Sequence, residues 1–356
     1  MSSNHLYHTW FQQIGQMWSH LYLPQRRNMA QLIVGLYLAK SVCLHKIAWK
    51  IPGNAVQVSI ERRLSRFLGN PAIRVRECYD PLVKPLLQSL GKTGVVRLIM
   101  DATKVSFSHQ LLMVSVAYRH RAIPVAWTWV DCARGHSSAG VQLALLAHVR
   151  SLLPADATVL LVGDCEFGAI EVIHQLDIWH WKYVLRQKPN NLVQLSGHDW
   201  QTFDSLILKD DQSLWLGQGL LTSKHAYPVN LLAHWRKGEP EPWLLATNLT
   251  SRQAALKAYA LRMWIDEMFG DWKKNGFDLE STHLCHFLKL SRLTLAVAVL
   301  YLWLVTSGSQ VIKQGLRRLV DRADRRDLSI FQIGMGFIER SLTNGLGISV
   351  SFYPVL

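Results

Sequence analysis

Apolar and polar positions along the chain fall into two kinds of run. Residues 95–100 (VVRLIM), 111–118, 123–130, 158–163 (TVLLVG) and 182–186 are short, mostly apolar stretches, the pattern of strands buried in a sheet. Between them, residues 137–153 and 166–176 are longer and read as helices, the first headed by Ser137 or Ser138 as a cap. The predicted order over this part is β-β-β-α-β-α-β. Residues 189–250 then change character, with short alternating segments such as SLWLGQGLL and HAYPVNLLAHW separated by turn residues. That pattern predicts an all-β insertion.

The flanks read as helical. AQLIVGLYLAK and SIERRLSRFLG are amphipathic, with Ser59 as the expected cap of the second. The run 293–305, LTLAVAVLYLWLV, falls short of the roughly twenty residues a bilayer span needs and predicts a buried core helix rather than a membrane segment. Residues 317–327, RRLVDRADRRD, alternate in charge as a surface helix does.

Charge and length narrow the class. The chain has 356 residues, enough for two or three domains. Its formal charge of +14 favours a polyanionic partner. The excess is concentrated at the start, where residues 1–90 hold eleven Lys and Arg against three acids. Five cysteines, Cys43, Cys78, Cys132, Cys165 and Cys285, occur without C-x-x-C pairs, and no charged leader with an apolar core opens the sequence. Both features fit a reducing, cytoplasmic setting. His283, Cys285 and His286 are too few and too close in sequence to predict a zinc site.

Candidate chemistry centres on Tyr259, Arg262, Asp266 and Lys273. On a continuous helix their spacing places all four within a wedge of about 60°. Leu261, Ile265, Met268, Phe269 and Trp272 form an apolar stripe beside it, with Glu267, Asp271 and Lys274 on the solvated side. An Arg–Asp pair at i,i+4 is also ordinary surface decoration. Asp101 and Asp164, however, each follow a predicted buried strand, where open α/β sheets place ligands. Three carboxylates brought together suit hard divalent ions, and two such ions about 4 Å apart can drive in-line cleavage of a phosphodiester. The expectation is a nuclease or strand-transfer enzyme.

DATKV at Asp101, DCEFG at Asp164 and the run YALRMWIDEMFGDWKKNGFDLE resemble bacterial insertion-sequence transposases of the DDE class, in the insertion-sequence-four type with its Y-x2-R-x3-E-x6-K signature. The likeness spans about residues 95–285. It implies an α/β fold: a ribonuclease H-like catalytic core interrupted by an all-β insertion, with helical N-terminal and C-terminal regions. The expected division is a helical DNA-binding domain at 1–90, core at 91–188, insertion at 189–250, the rest of the core with the signature helix at 251–310, and a helical region at 311–356. The resemblance further implies that Asp101, Asp164 and Asp266 hold two Mg²⁺ or Mn²⁺ ions, and that Tyr259, Arg262 and Lys273 grip a DNA phosphate. Trp243 matches a tryptophan that stacks on a flipped base. The implied partners are the element's terminal inverted repeats, target DNA and a second copy of the chain. Two positions depart from the family pattern: Asp266 stands where it has glutamate, and Cys165 where it usually has a basic residue. The alternative is a catalytically impaired DNA-binding relative acting as a regulator.

Overall fold

The structure of the chain is a computed structural model describing residues 2–105, 109–131, 136–206, 209, 211–322, 324 and 326–355. Five helices come first: α1 (Ser2–Met17), α2 (Leu23–Ala39), α3 (Leu44–Ala48), α4 (Gln57–Leu68) and α5 (Val75–Thr93). They are followed by β1 (Val96–Lys104), β2 (His109–Tyr118), β3 (Arg121–Asp131), α6 (Ala139–Leu152), β4 (Val159–Gly163), α7 (Ile170–Ile178) and β5 (Lys182–Arg186). Next are β6 (Leu192–Leu195), β7 (Gln201–Thr202), β8 (Ser213–Leu221), β9 (Tyr227–His234) and β10 (Trp243–Thr247). Four helices close the chain: α8 (Arg252–Tyr259), α9 (Met263–Trp272), α10 (Phe287–Lys313) and α11 (Ile330–Thr343).

Contacts divide the chain into two compact units. One is Met1–Leu86 with Val105–His109 and Glu267–Leu356; the other is Leu87–Lys104 with Gln110–Asp266. The expected five-part division does not coincide with these units, which also break at Leu86 and assign Val105–His109 to the helical one. The N-terminal and C-terminal helical regions belong to one unit, and the expected segment 251–310 is split after Asp266.

The second unit is mixed α/β. Its ten strands make one sheet in the order β3-β2-β1-β4-β5-β10-β9-β8-β6-β7. Tyr118 and Arg121 are joined by Arg119 and His120, both at positive φ, the conformation of a tight two-residue hairpin turn. β1 runs antiparallel to β2 but parallel to β4, and β4 runs parallel to β5. β4 is buried throughout and the helices α6 and α7 separate the parallel strands in sequence, as parallel crossovers require. A β5 left as the edge would expose unpaired peptide groups. β10 pairs with it instead, antiparallel, with Leu245 opposite Arg186. The strands from 189–250 thus extend the same sheet rather than building a body of their own; Ile207, Leu208 and Asp210 in this stretch lie outside the described residues.

The first unit is helical, and its centre is α10. This helix has 27 residues, so it is long and apolar enough by length and composition to cross a membrane, which the shorter apolar run alone was not. Every residue from Leu293 to Val305 is buried within the protein, which makes it a core helix. α10 and α11 cross backbone to backbone, because a Cβ on Gly308 would lie 1.9 Å from the Ile330 carbonyl oxygen and one on Gly334 would lie 1.9 Å from that of Leu304. Arg292 of α10 is buried and donates to the Ile73 and Leu68 carbonyls at 2.9 and 2.8 Å.

Several local expectations are corrected. α4 begins at Gln57 with Val56 as its cap and no side-chain hydrogen bond there, so Ser59 lies inside the helix. The expected helix 166–176 is a 3₁₀ turn, Cys165–Phe167, followed by α7, because the chain first bends at Asp164 to cap that turn. Residues 317–327 hold only a 3₁₀ turn, Arg317–Leu319, and no α-helix among the described residues; Ala323 and Arg325 are outside them, as is Cys132. Asp271, expected on the solvated side of its helix, is fully buried, with the Tyr301 hydroxyl 3.5 Å from its carboxylate. The chain turns back after α9 so tightly that Gly276 packs on the Asp271 carbonyl, and this closes the face that a longer helix would have left open.

Candidate active site

The parallel ladder between β1 and β4 ends where Met100 pairs with Gly163. Asp101 follows Met100 within β1 and Asp164 follows Gly163 just past the end of β4, which places two carboxylates side by side. Asp101 was expected just past its strand, yet β1 continues to Lys104, because pairing with β2 carries on after the parallel ladder stops, with Asp101 opposite Met113. The two acids are held alike. Each turns one oxygen onto the following amide, Asp101 Oδ1 to Ala102 N and Asp164 Oδ1 to Cys165 N, both at 2.7 Å. Each is left with Oδ2 facing outward from its own backbone.

Those oxygens meet Arg262. Its guanidinium lies 3.2 Å from Asp101 Oδ2, 3.4 Å from Asp164 Oδ2 and 3.0 Å from Asp266 Oδ2. The signature segment is not one continuous helix. α8 ends at Tyr259, a 3₁₀ turn covers Ala260–Arg262, and α9 begins at Met263. In a 3₁₀ turn residues three apart eclipse, which stacks Arg262 over Tyr259. Asp266 then follows one α-turn later on the same side.

Electrostatics follow from burial. Asp101 has a pKa pushed up to about 7, first by desolvation, then eased by Arg262 and pushed again by Asp266, with Ala102 N–H and Asp164 as smaller influences. Burial works against the charge of Arg262, but Asp101, Asp164, Tyr259 and Asp266 together outweigh it and hold the guanidinium protonated. Burial also raises the Tyr259 pKa, opposed by Arg262, so its hydroxyl stays protonated as a hydrogen-bond partner of that guanidinium. Without divalent ions, an acid whose folded pKa is raised stabilises the fold below its unfolded pKa and loses that contribution as pH climbs through the folded value. In EDTA, stability falls between about pH 4 and about 7 through Asp101, with a slope of up to about 1.4 kcal/mol per pH unit. Asp101→Asn removes that slope in urea titrations taken across this range; an unchanged slope contradicts the assignment.

The structure brings together Asp101, Asp164, Asp266, Arg262 and Tyr259. Tyr259 is buried rather than presented on an open ridge. Lys273 belongs to the other unit, where its ammonium pairs with Glu280 at 2.8 Å. Trp243 opens β10 and packs edge-on against Tyr259 at 4.9 Å and His234 at 5.5 Å. Among the described residues no three His, Cys, Asp or Glu side chains are disposed to hold a metal ion as they stand, since all three Oδ2 atoms point at Arg262. The donor set nevertheless fits hard divalent cations. Three acids converge on the one guanidinium of Arg262, and the raised Asp101 pKa reflects first the burial of its carboxyl.

Sequence reading missed Arg186. It ends β5, the third parallel strand, with Nη1 3.9 Å from Asp164 Oδ1 and Nη2 2.9 Å from Glu241. The signal was present: Arg186 is the polar residue at the carboxyl end of a buried strand, the position that drew notice to Asp101 and Asp164. Glu166 was missed too. It accepts from Ser137 N at 2.8 Å and Ser137 Oγ at 2.6 Å, tying the head of α6 to the turn that carries Asp164.

No family model matches the chain, and no curated protein matches it either. Among solved structures it is similar to a cryo-EM structure of piggyBac transposase in a synaptic complex with hairpin DNA, at 11% identity and a TM-score of 0.45, over 96% of this chain and 77% of that one. A likeness at this level carries no inference about chemistry.

Proposed function

We propose that the protein is a DNA transposase that cuts and joins phosphodiester bonds at the ends of an insertion sequence, with Asp101, Asp164 and Asp266 as its carboxylates. The observation that carries this is their convergence on Arg262 from β1, the end of β4 and α9. The strand order β3-β2-β1-β4-β5, with β2 antiparallel to β1 and β1, β4 and β5 parallel, supports reading that half of the sheet as a ribonuclease H-like core.

In this reading Asp101, Asp164 and Asp266 would hold Mg²⁺ or Mn²⁺, two ions per site, and the ions would supply charge relief for the phosphoryl transfer. Arg262, planar and permanently charged, donates to the scissile phosphate bidentately. Tyr259 fixes the guanidinium's orientation. The oxygen of a water adds to phosphorus as the bond to the 3′ oxygen breaks and a proton released by the water passes to that oxygen; the resulting 3′ hydroxyl next attacks a phosphate of the opposite strand or target DNA, expelling the 3′ oxygen there. Positioning and charge stabilisation account for most of the acceleration in such transfers.

Trp243 provides the plane on which a flipped base stacks. Stacking of this kind is worth roughly 1–3 kcal/mol per base. Trp243→Ala therefore weakens binding of end DNA at least about five-fold and abolishes the fluorescence change of 2-aminopurine placed at the flipped position. An unchanged signal removes Trp243 from this role.

The deciding experiment is nicking of duplex carrying the inverted repeats that flank the gene, with Mg²⁺ or Mn²⁺. Binding without cutting under both ions favours the second reading, a regulator that only binds DNA. Asp266, one methylene shorter than the family's glutamate, is the observation behind that reading.

A further inference from the structure

We infer that α4 is the element that reads base sequence in the major groove of duplex DNA, with Arg62 and Arg66 as its base-contacting side chains. The inference rests on the DNA-binding reading above but not on its cleavage chemistry.

α4 divides cleanly around its axis. At about 100° per residue, Ile60, Leu64, Phe67 and Leu68 fall within an arc of about 100°, and all four are buried. Opposite them, Val58, Arg62, Arg66 and Ser59 fall within another arc of about 100°, and all four are exposed. Gly69 ends the helix within that second arc and adds no side chain to it. Neither Arg62 nor Arg66 takes part in an ion pair or side-chain hydrogen bond among the described residues. By contrast Arg63, on the flank, donates to Gln31 at 2.7 Å, and the one acid of the helix, Glu61, is engaged by His45 at 3.3 Å. The exposed arc therefore carries two uncommitted cations and no acid.

The geometry fits a groove. Twelve residues make a rod about 18 Å long, slim enough for a major groove about 12 Å wide. Arg62 and Arg66 lie one turn apart, about 6 Å along the axis, close to two base-pair steps. Guanidinium groups pair bidentately with O6 and N7 of guanine, and a valine such as Val58 meets the thymine methyl. An apolar residue interleaved with arginines suits base edges better than phosphates, which would call for charge alone. A phosphate anchor stands beside the same surface: Lys289 donates to Ser65 Oγ at 3.1 Å, and its Cε is 3.5 Å from a Cβ built on Gly69. The charge excess over residues 1–90 matches the polyanion.

Full-length protein selected against a pool of random 30-base-pair duplexes tests this. Wild-type protein is expected to enrich a motif containing guanines about two base pairs apart. Arg62→Ala with Arg66→Ala is expected to lower the preference for that motif over a scrambled duplex about ten-fold or more, with unchanged circular dichroism and thermal midpoint. Lys289→Ala is expected to weaken binding to both duplexes alike and to reduce the salt slope by about one. A motif lost in the arginine double variant supports the inference whether or not the protein nicks DNA. Failure of wild-type protein to enrich any motif, or retention of the same motif and preference by the double variant, overturns it.

Discussion

Asp164→Asn is expected to abolish the proposed nicking of end DNA in Mg²⁺, lowering the rate at least about a thousand-fold, which corresponds to about 4 kcal/mol of lost transition-state stabilisation. Asparagine keeps the size of the side chain and can still accept the Cys165 amide that Asp164 Oδ1 now takes at 2.7 Å. Only the charge is removed, so the local 3₁₀ turn survives. The measurement is single-turnover cleavage of labelled duplex, with DNA affinity read in parallel. The variant retains binding while cutting disappears. Residual cutting within ten-fold of wild type would show that Asp164 is not one of the reacting carboxylates.

Arg262→Ala has its largest effect on stability. The side chain is 16% exposed and faces carboxylates that are 13%, 28% and 44% exposed. Removing one partner of a largely buried charge group leaves the others uncompensated, at a cost of about 3 kcal/mol. The raised Asp101 pKa climbs further, since Arg262 is what eases it. Denaturant titration in EDTA reports the loss. Mg²⁺ at millimolar concentration restores part of it in the variant, because an ion that binds only the folded state stabilises it by mass action. Absence of any Mg²⁺ effect on the variant's midpoint would count against divalent binding by these three aspartates.

The sequence carried much of this arrangement and concealed some of it. The strands 95–100, 158–163 and 182–186 were readable because buried parallel strands are continuous apolar runs bounded by polar residues. Asp101 and Asp164 were legible for the same reason: each is the first carboxylate where the apolar run stops. Local pattern could not show that β10 returns to pair with β5, since a ladder partner sixty residues away leaves no periodic mark. The break at Ala260–Arg262 was equally hidden. The angular wedge of an unbroken helix grouped Lys273 with Tyr259, whereas a 3₁₀ turn interrupts the segment and Lys273 falls in the other unit. Asp271 misled because its helical angle indicated solvent, while its burial depends on a turn that follows it. Arg186 needed only the question already asked of the two aspartates, put to the third strand.

The junction of β4, β5 and β10 acts as a ruler. Asp164 follows the first of these strands, Arg186 ends the second and Trp243 begins the third. Adjacent strands keep a spacing of about 4.8 Å, so the backbones of β4 and β10 run about 10 Å apart, with β5 between them. That interval is set by peptide hydrogen bonds rather than by a hinged connection. A base seated on the indole would thus be presented at one fixed distance from the acid, and the position of any cut would be measured by the sheet itself.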